Sequence, residues 1–520
     1  MSFVKYSTAL ATAALLSICT NAQAKPITIL YVPLDNRPVN TTYVQNTLEA
    51  AGCKIFMPPE KLIASNEASG KPDELINWLL HKAHKADAAV ISTDSLIYGG
   101  LVASRTHQLP LATLKNRVEK LNQLKEALPI NLYTFSTIMR TPRASKGHVE
   151  PGYYTSYGPQ IFAYSELTDL SNQHTLTEEE QKKKDFLARS IPQNHLQDWL
   201  QRRDKNFKIN TKLLIMSSRD KFHFFAIGKD DNAVHSHTHL ESTELSRLAF
   251  DFPKDRFQII DGVDQLGLLL ASRAYNELNK LQPKIYPLYS EGVGQATLPQ
   301  YSDSRFQDSV PHQIIASGGK IAKSSSDADF ILAINSPEDG IVQDATAKSN
   351  QPYASMANRR FINRLKNLTA FGYKVSLADV SYSNGADNGF MHFFADSGSL
   401  EKIIAYNGWN TADNAIGYAI AQGTFARAMP KAKQQKLIRQ RLIDDWFYQS
   451  NVRNKLTERF EKITREDLKY RLGALNGQTA DDAARHCQSL VKAYSFTKNT
   501  NFKLTFPWDR LFEVEITIPK

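Results

Sequence analysis

The chain has 520 residues, of which 42% are hydrophobic and 22% are charged. This composition excludes a disordered tail protein, a collagen-like fibre and a small disulfide-stapled domain, because there are enough apolar side chains to bury a large core. The net charge of +10 is spread over the whole length without a long basic block, so no nucleic-acid partner is expected.

The first 24 residues are predicted to be a cleaved signal peptide. Residues 1–5 carry a positive charge, residues 8–19 are apolar or small, and Ala22-Gln23-Ala24 has the small-x-small pattern that signal peptidase recognises. Cleavage after Ala24 would leave residues 25–520 as a periplasmic or secreted protein. No later apolar run reaches the roughly 18 residues of a membrane span, so no membrane-spanning helix is expected.

Ten short apolar runs along the mature chain predict β-strands. They lie at 27–32, 54–57, 88–92, 131–136, 222–227, 257–260, 284–289, 330–334, 374–378 and 403–406. Strands that are apolar on both faces and separated by helical patterns are typical of a parallel sheet with helical crossovers. We therefore expect an α/β fold with a (β/α)8-barrel-like parallel core. Because ten strands exceed the eight of a closed barrel, either two are extra or the chain contains a second α/β unit.

The predicted division of the chain follows from these patterns. Residues 25–420 form the α/β catalytic region, with a polar helical insertion at about 175–211. Residues 421–520 form a helical region that ends in a small β segment.

Polar side chains follow most of the predicted strands, where ligands collect in parallel sheets. Carboxylates, amides and arginines bond sugar hydroxyls, and an aromatic ring covers the apolar face of a sugar. The predicted substrate-binding residues are Asp35, Arg37, Asp94, Arg140, Asn335, Asn384, Asp387, Trp409 and Asn410. The alternative is that Asp and Asn at these positions only cap helices and shape turns, which does not account for the arginines and the tryptophan.

Several motifs resemble those of the bacterial domain-of-unknown-function family 4127 (DUF4127). They are Ile29-Leu-Tyr-Val-Pro-Leu-Asp-Asn-Arg-Pro-Val-Asn40, Tyr98-Gly-Gly-Leu-Val-Ala-Ser-Arg105, Met139-Arg-Thr-Pro142, Gly228-Lys-Asp-Asp231, Ala378-Asp-Val-Ser-Tyr-Ser-Asn-Gly-Ala-Asp387 and Gly408-Trp-Asn-Thr411. The resemblance runs from about Ile27 to Phe512 and implies a fold family but no activity. The chain departs from the pattern at Gln265, where the family leads us to expect an acidic residue.

The adjacent carboxylates Asp230 and Asp231 follow what would be the fourth main strand of a barrel. In this position they resemble the catalytic pair of substrate-assisted β-N-acetylhexosaminidases. There the acetamido oxygen of the substrate attacks the anomeric carbon, which departs from the usual pairing of two separated carboxylates. The resemblance implies that Asp230 orients the acetamide and that Asp231 is the acid that protonates the leaving oxygen. The plain alternative is an Asp-Asp turn.

Two other functions are open from the sequence. His235, His237 and His239 alternate, so on an extended strand they would share one side and could hold zinc in a hydrolase. An exposed polar loop is the simpler interpretation of these histidines, and no metal site is assigned. The third hypothesis is a non-enzymatic receptor for a glycan or cell-wall fragment. Because nucleotide- and flavin-binding motifs are absent, no cofactor is expected.

Overall fold

The computed structural model describes residues 26–127, 130–145 and 148–519, so the predicted signal peptide lies outside the described residues. The strands are β1 (Thr28–Val32), β2 (Lys54–Phe56), β3 (Ala88–Ser92), β4 (Asn131–Ile138), β5 (Phe224–Lys229), β6 (Phe257–Asp261), β7 (Lys284–Tyr289), β8 (Lys320–Ile321), β9 (Phe330–Asn335), β10 (Gln343–Asp344), β11 (Val375–Asp379), β12 (Tyr382–Ser383), β13 (Ala405–Asn407), β14 (Lys503–Thr505) and β15 (Glu515–Thr517). The α-helices are α1 (Thr42–Ala50), α2 (Pro72–Lys82), α3 (Thr93–Ile97), α4 (Leu101–Thr106), α5 (Leu111–Ala127), α6 (Tyr154–Gln173), α7 (Glu178–Ser190), α8 (Gln193–Ser218), α9 (His237–Leu248), α10 (Leu266–Leu278), α11 (Phe306–Ala316), α12 (Met356–Ala370), α13 (Asn388–Asp396), α14 (Ala412–Ala426), α15 (Lys431–Arg441), α16 (Arg453–Lys462) and α17 (Asn476–Ala493).

The main strands form two open parallel sheets. The first has the order β2-β1-β3-β4-β5-β6 and the second the order β13-β11-β9-β7-β8. In each sheet the chain starts at an inner strand, visits one edge and then crosses to the other side, which is the 2-1-3-4-5 order of doubly wound folds. The predicted α/β fold is therefore confirmed, and of the two alternatives for the surplus strands the structure shows the second α/β unit. The barrel-like arrangement is corrected, because the described strands do not close into one ring.

All ten predicted strands are present in the two sheets. The eleventh, β8, was missed because it has only two residues, both exposed, at the edge of the second sheet. Strand β5 runs two residues later than predicted, so Asp230 follows it directly. Its side chains are buried along the whole strand, as expected for an inner strand of a sheet covered on both faces.

Helices α10 and α14 lie between the two sheets. Every residue of α14 is buried, and one apolar core joins it to α10 and to both sheets, from Tyr31 in β1 to Ile334 in β9. A helix whose residues are all buried packs against neighbours on every side. Helices α10 and α14 thus hold the two sheets together. Loops from the carboxyl ends of both sheets surround one cleft.

The C-terminal region returns to the first sheet. Helices α15 and α16 are joined by Leu442–Val452, which is π-helical, and the chain ends in the antiparallel pair β14–β15. Between these strands, Trp508 donates from Nε1 to Oδ1 of Asn36 at 2.7 Å, and Asn66 donates to the carbonyl oxygen of Trp508 at 2.9 Å. The end of the chain is thereby fixed beside the loop that follows β1.

The sequence does not decide whether Cys53 and Cys487 pair. In the structure both are buried and unbonded to one another, and they belong to different apolar cores. Within the described ranges, no helix combines the length and the apolarity that a bilayer crossing requires.

Candidate functional site

A cleft of about 260 Å³ lies where loops from the carboxyl ends of both sheets meet. Loops that follow β1, β4, β5 and β6 form one side, and loops that follow β12 and β13, together with the segment between β14 and β15, form the other. Its charged and amide side chains are Arg37, Arg105, Arg140, Arg510, Asp230, Asp231, Asp264, Glu513, Asn384, Asn410 and Asn414. We call this the arginine–carboxylate cleft.

Asp230 is held by Arg105 from α4. The Arg105 Nε and Nη2 atoms both donate to Oδ2 of Asp230, at 2.9 and 2.5 Å, and both side chains are almost fully buried. No hydrogen bond from the described residues ends on Oδ1. Burial raises the pKa of Asp230 to about 6, and the neighbouring Asp231 adds to this rise against the opposing effect of Arg105. Asp230 can therefore carry a proton near neutral pH.

Asp231 turns away from Asp230 and reaches a different arginine. Arg140 donates from Nη1 to Oδ2 of Asp231 at 2.5 Å and from Nε to Oε1 of Glu150 at 2.6 Å. The backbone of Asp231 has a φ of +28°, a conformation that costs energy for a residue with a Cβ. Its side chain remains 23% exposed. Two adjacent carboxylates thus have different environments in one cleft.

Arg37 closes the floor of the cleft between the loops that follow β1 and β6. It donates to both oxygens of Asp264, at 3.0 and 2.5 Å, and from Nε to Asp35 at 3.0 Å. Asn410, from the second sheet, donates to Oδ2 of Asp264 at 2.6 Å. Burial raises the pKa of Asp264, and the Arg37 guanidinium opposes that rise. This network links residues that are more than two hundred positions apart in the chain.

The predicted site residues do not all lie together. The structure brings six of them to the arginine–carboxylate cleft, namely Arg37, Arg140, Asp230, Asp231, Asn384 and Asn410. Asp35 and Asp94 are buried behind its wall, and Trp409 packs against Phe512 instead of lining it. Asn335 and Asp387 lie at the second sheet, where Asp387 faces a separate cleft.

Sequence reasoning missed the residues that complete the cleft. Arg105 holds Asp230, and Glu150 pairs with Arg105 and Arg140 behind the wall. Trp508, Arg510 and Glu513 come from the C-terminal segment. The Trp508 ring has Arg37 at 5.3 Å and Arg510 at 5.1 Å from its centroid. Arg105 ends one of the quoted motifs and could have been found there. The C-terminal residues carry no local signal, because they reach the site only through the fold.

The zinc hypothesis for His235, His237 and His239 required an extended strand, and the structure has no strand at these residues. Ser236 caps α9 by accepting from the backbone N–H of His239 at 3.1 Å, so the histidines lie at a helix start and not on one side of a strand. His239 contacts Asp169 at 2.7 Å, whereas His237 is buried, and burial lowers its pKa well below the usual value. Among residues 26–127, 130–145 and 148–519 there is no group of three or more potential ligands that could hold a metal ion.

Asp94 is a fully buried carboxyl close to Asp230. Neither oxygen has a hydrogen-bond partner among the described residues, and Thr137 lies beside the carboxyl outside normal hydrogen-bond geometry. Burial, the largest cause, and the negative charge of Asp230 raise the pKa of Asp94 to about 7. In the folded protein Asp94 therefore keeps its proton up to about pH 7, whereas in the unfolded chain it loses it near pH 4.

We expect Asp94→Asn to change how stability depends on pH. Between about pH 4 and pH 7 the unfolded wild-type chain binds fewer protons at Asp94 than the folded protein does. The contribution of Asp94 to the free energy of unfolding therefore falls as pH rises. Asn does not titrate, so the variant lacks this fall. The free energy of unfolding of the variant, relative to that of wild type, should therefore rise by on the order of 4 kcal/mol between pH 4 and pH 8. Urea denaturation at several pH values measures the difference. The exposed control Asp185→Asn should track wild type, and parallel curves for Asp94→Asn and wild type would contradict the expectation.

Comparison with known proteins gives a family without an activity. The family whose model matches residues 29–517 is described as "Protein of unknown function (DUF4127)". The chain therefore belongs to this family. No curated protein and no solved structure matches it. The resemblance of Asp230 and Asp231 to the hexosaminidase pair stays a prediction, and the pair follows β5 of an open sheet and not the fourth strand of a barrel.

Proposed function

We propose that this DUF4127 protein is an exported glycoside hydrolase that cleaves glycans containing N-acetylhexosamine in the arginine–carboxylate cleft, by substrate-assisted catalysis. The observation that carries the proposal is the carboxylate pair at the end of β5. Asp230 and Asp231 both line one cleft, and they differ in burial and in their arginine partners. Environments that separate two carboxyl groups in this way are typical of acid–base pairs.

The charge of the cleft supports a neutral, polyhydroxylated substrate. The four arginines that line it are matched by four carboxylates, and Asp35 and Glu150 add negative charge behind the wall. An anionic ligand would therefore meet little net positive charge. The wall contains both hydrogen-bond donors and acceptors, as sugar hydroxyls require. Because charge-assisted hydrogen bonds are the strong ones, such a wall can hold a neutral sugar firmly.

In the proposed reaction Asp230 is the acid. The acetamide oxygen of the substrate bonds to the anomeric carbon while the bond to the leaving oxygen breaks, and that oxygen takes the proton of Asp230. Water then opens the cyclic intermediate and returns a proton to Asp230. Asp231 accepts a hydrogen bond from the acetamide N–H throughout. These roles reverse those predicted from the sequence, because the buried Asp230 has the raised pKa and Arg140 holds the Asp231 carboxylate at the open side.

A glycosidase screen tests the proposal. Purified residues 25–520 would be incubated with aryl glycosides, including β-N-acetylglucosaminide and β-N-acetylgalactosaminide, with and without a chelator. We expect release from an N-acetylhexosaminide that is insensitive to the chelator. Release should fall by about 10²–10⁴-fold in Asp231→Asn, since general acid–base and orienting groups contribute on that scale.

Three results would count against the proposal. Turnover of plain glucosides at the same rate would show that the acetamide takes no part. Activity that is abolished by the chelator and restored by zinc would favour the zinc hydrolase. Equal activity in Asp231→Asn and wild type would remove Asp231 from the mechanism.

A further inference from the structure

A second cleft of about 420 Å³ lies at the carboxyl edge of the second sheet. It is lined by the loop that follows β9 and by residues near the starts of α12 and α13. Strand β9 adjoins β7, and the chain leaves these two strands toward opposite edges of the sheet. The cleft itself takes its lining from the loops that follow β9 and its other neighbour β11, at the carboxyl edge where parallel sheets bind their ligands.

The polar side of this cleft is anchored to the sheet. Asp387 lines it and accepts from the Nδ2 atom of Asn358 at 3.1 Å and from the Nδ2 atom of Asn335 at 3.4 Å. Asn335 also donates to Asp379 at the end of β11, at 2.9 Å. Asp387 is buried, and Gln343 and Gln351 add amide groups at the edge. The result is a fixed set of donors and acceptors for hydroxyl groups.

Two tyrosines complete the cleft. Tyr353 is 82% exposed, and Tyr382 is partly buried beside it in the same lining. An aromatic ring left in water beside fixed polar groups suits a ligand with an apolar face and polar edges, as a sugar ring has. The centre of a protein–protein interface is depleted in charged residues, whereas the carboxylates Glu338, Asp339 and Asp387 all line this cleft.

The two clefts share one wall. Strand β12 pairs with β10, and this short strand pair separates them. Tyr382 lines the second cleft, while Asn384, two residues later, lines the arginine–carboxylate cleft and donates to Asp344 at 2.8 Å. At about 3.3 Å per extended residue, these two positions are roughly 7 Å apart along the chain. The second cleft is therefore adjacent to the first without sharing its charged residues.

We propose that the second cleft is a non-catalytic glycan-binding site, in which Tyr353 and Tyr382 cover sugar faces and Asp387 and Asn358 bond hydroxyls. Its ligand is a further stretch of the polymer that the arginine–carboxylate cleft cleaves. The choice of polymer rests on the proposed function, whereas the existence of the site rests on the second cleft itself.

Calorimetric titration with oligosaccharides tests this site. The protein would carry Asp230→Asn to prevent cleavage. The probes would be three β-1,4-linked hexamers, one of N-acetylglucosamine, one of glucose and one of xylose. We expect at least one hexamer to bind and its affinity to fall at least tenfold in the Tyr353→Ala/Tyr382→Ala variant. The matched control is Phe371→Ala, because Phe371 is an equally exposed aromatic residue, 83% exposed, just past the far end of α12.

Catalysis is measured separately, with the same tyrosine substitutions in the otherwise wild-type chain. Hydrolysis of a small aryl glycoside should be unchanged, since the tyrosines do not line the first cleft. If a hexamer binds through the tyrosines but the otherwise wild-type chain hydrolyses no glycoside, the second site is supported and the proposed function is contradicted. Binding of no hexamer, or equal binding in the tyrosine variant and the control, would overturn the site whatever the outcome of the activity screen.

Discussion

Replacing Asp230 by Asn should lower kcat/KM by about 10²–10⁴-fold for N-acetylhexosaminides with a poor leaving group, and by less than about tenfold for the 2,4-dinitrophenyl glycoside. The reason is that a dinitrophenolate leaves without a proton, so the loss of the acid affects only substrates that need one. Steady-state kinetics on a series of aryl leaving groups measures this dependence. The substituted carboxamide keeps the shape of the carboxyl group and can still contact Arg105 through its oxygen.

The same variant should change the pH profile. Wild-type kcat/KM should decline above about pH 6, because Asp230 must hold its proton to act as the acid, and burial raises its pKa to about 6. Asp230→Asn should lack this decline. Asp231→Asn is the matched control, since loss of the orienting carboxylate should affect all leaving groups alike. If the dinitrophenyl substrate rescued Asp231→Asn and not Asp230→Asn, the two roles would be exchanged.

The fold was predictable to the extent that its signals are local. Short apolar runs predicted ten of the eleven strands in the two parallel sheets. The sequence could not predict whether the strands close into a barrel. One barrel and two open sheets place the same strands in the same order, and the difference lies in which strands pair. Helix α14 decides this by packing between the sheets, a tertiary contact that no single segment encodes.

The residues of the site were predictable where they lie next to the end of a predicted strand. Side chains directly after parallel strands were located by the strand-end rule, and six of them line one cleft. The rule could not separate the two sheets, so it placed Asp387 in the same site as Asp230 although they face different clefts. Nor could it find Trp508 or Glu513, since these follow no strand of either sheet. They reach the cleft only because the C-terminal segment packs on the loop that follows β1.

Replacing Arg37 by Met should destabilise the protein by about 3–5 kcal/mol at pH 8, because Asp35 and Asp264 are then buried without their counter-ion. Arg37 donates to both carboxylates and lies on the Trp508 ring, so its loss also loosens the C-terminal segment. The destabilisation should be smaller at pH 5, since a buried carboxyl left without its guanidinium takes up a proton more readily as pH falls. Urea denaturation at both pH values measures the free energy of unfolding.

A second substitution separates the buried charge from lost packing. Adding Asp264→Asn to Arg37→Met removes one of the two unpaired buried charges and should restore part of the lost stability, with a coupling energy of about 1–3 kcal/mol. Arg360→Met is the control, because Arg360 forms an exposed pair with Glu291 and exposed pairs contribute at most about 1 kcal/mol. Additive losses in the double variant would mean that Arg37 stabilises the fold through its contact with Trp508 and not through the carboxylates. In that case the floor of the cleft would be held by packing, and its charges would be available to a ligand.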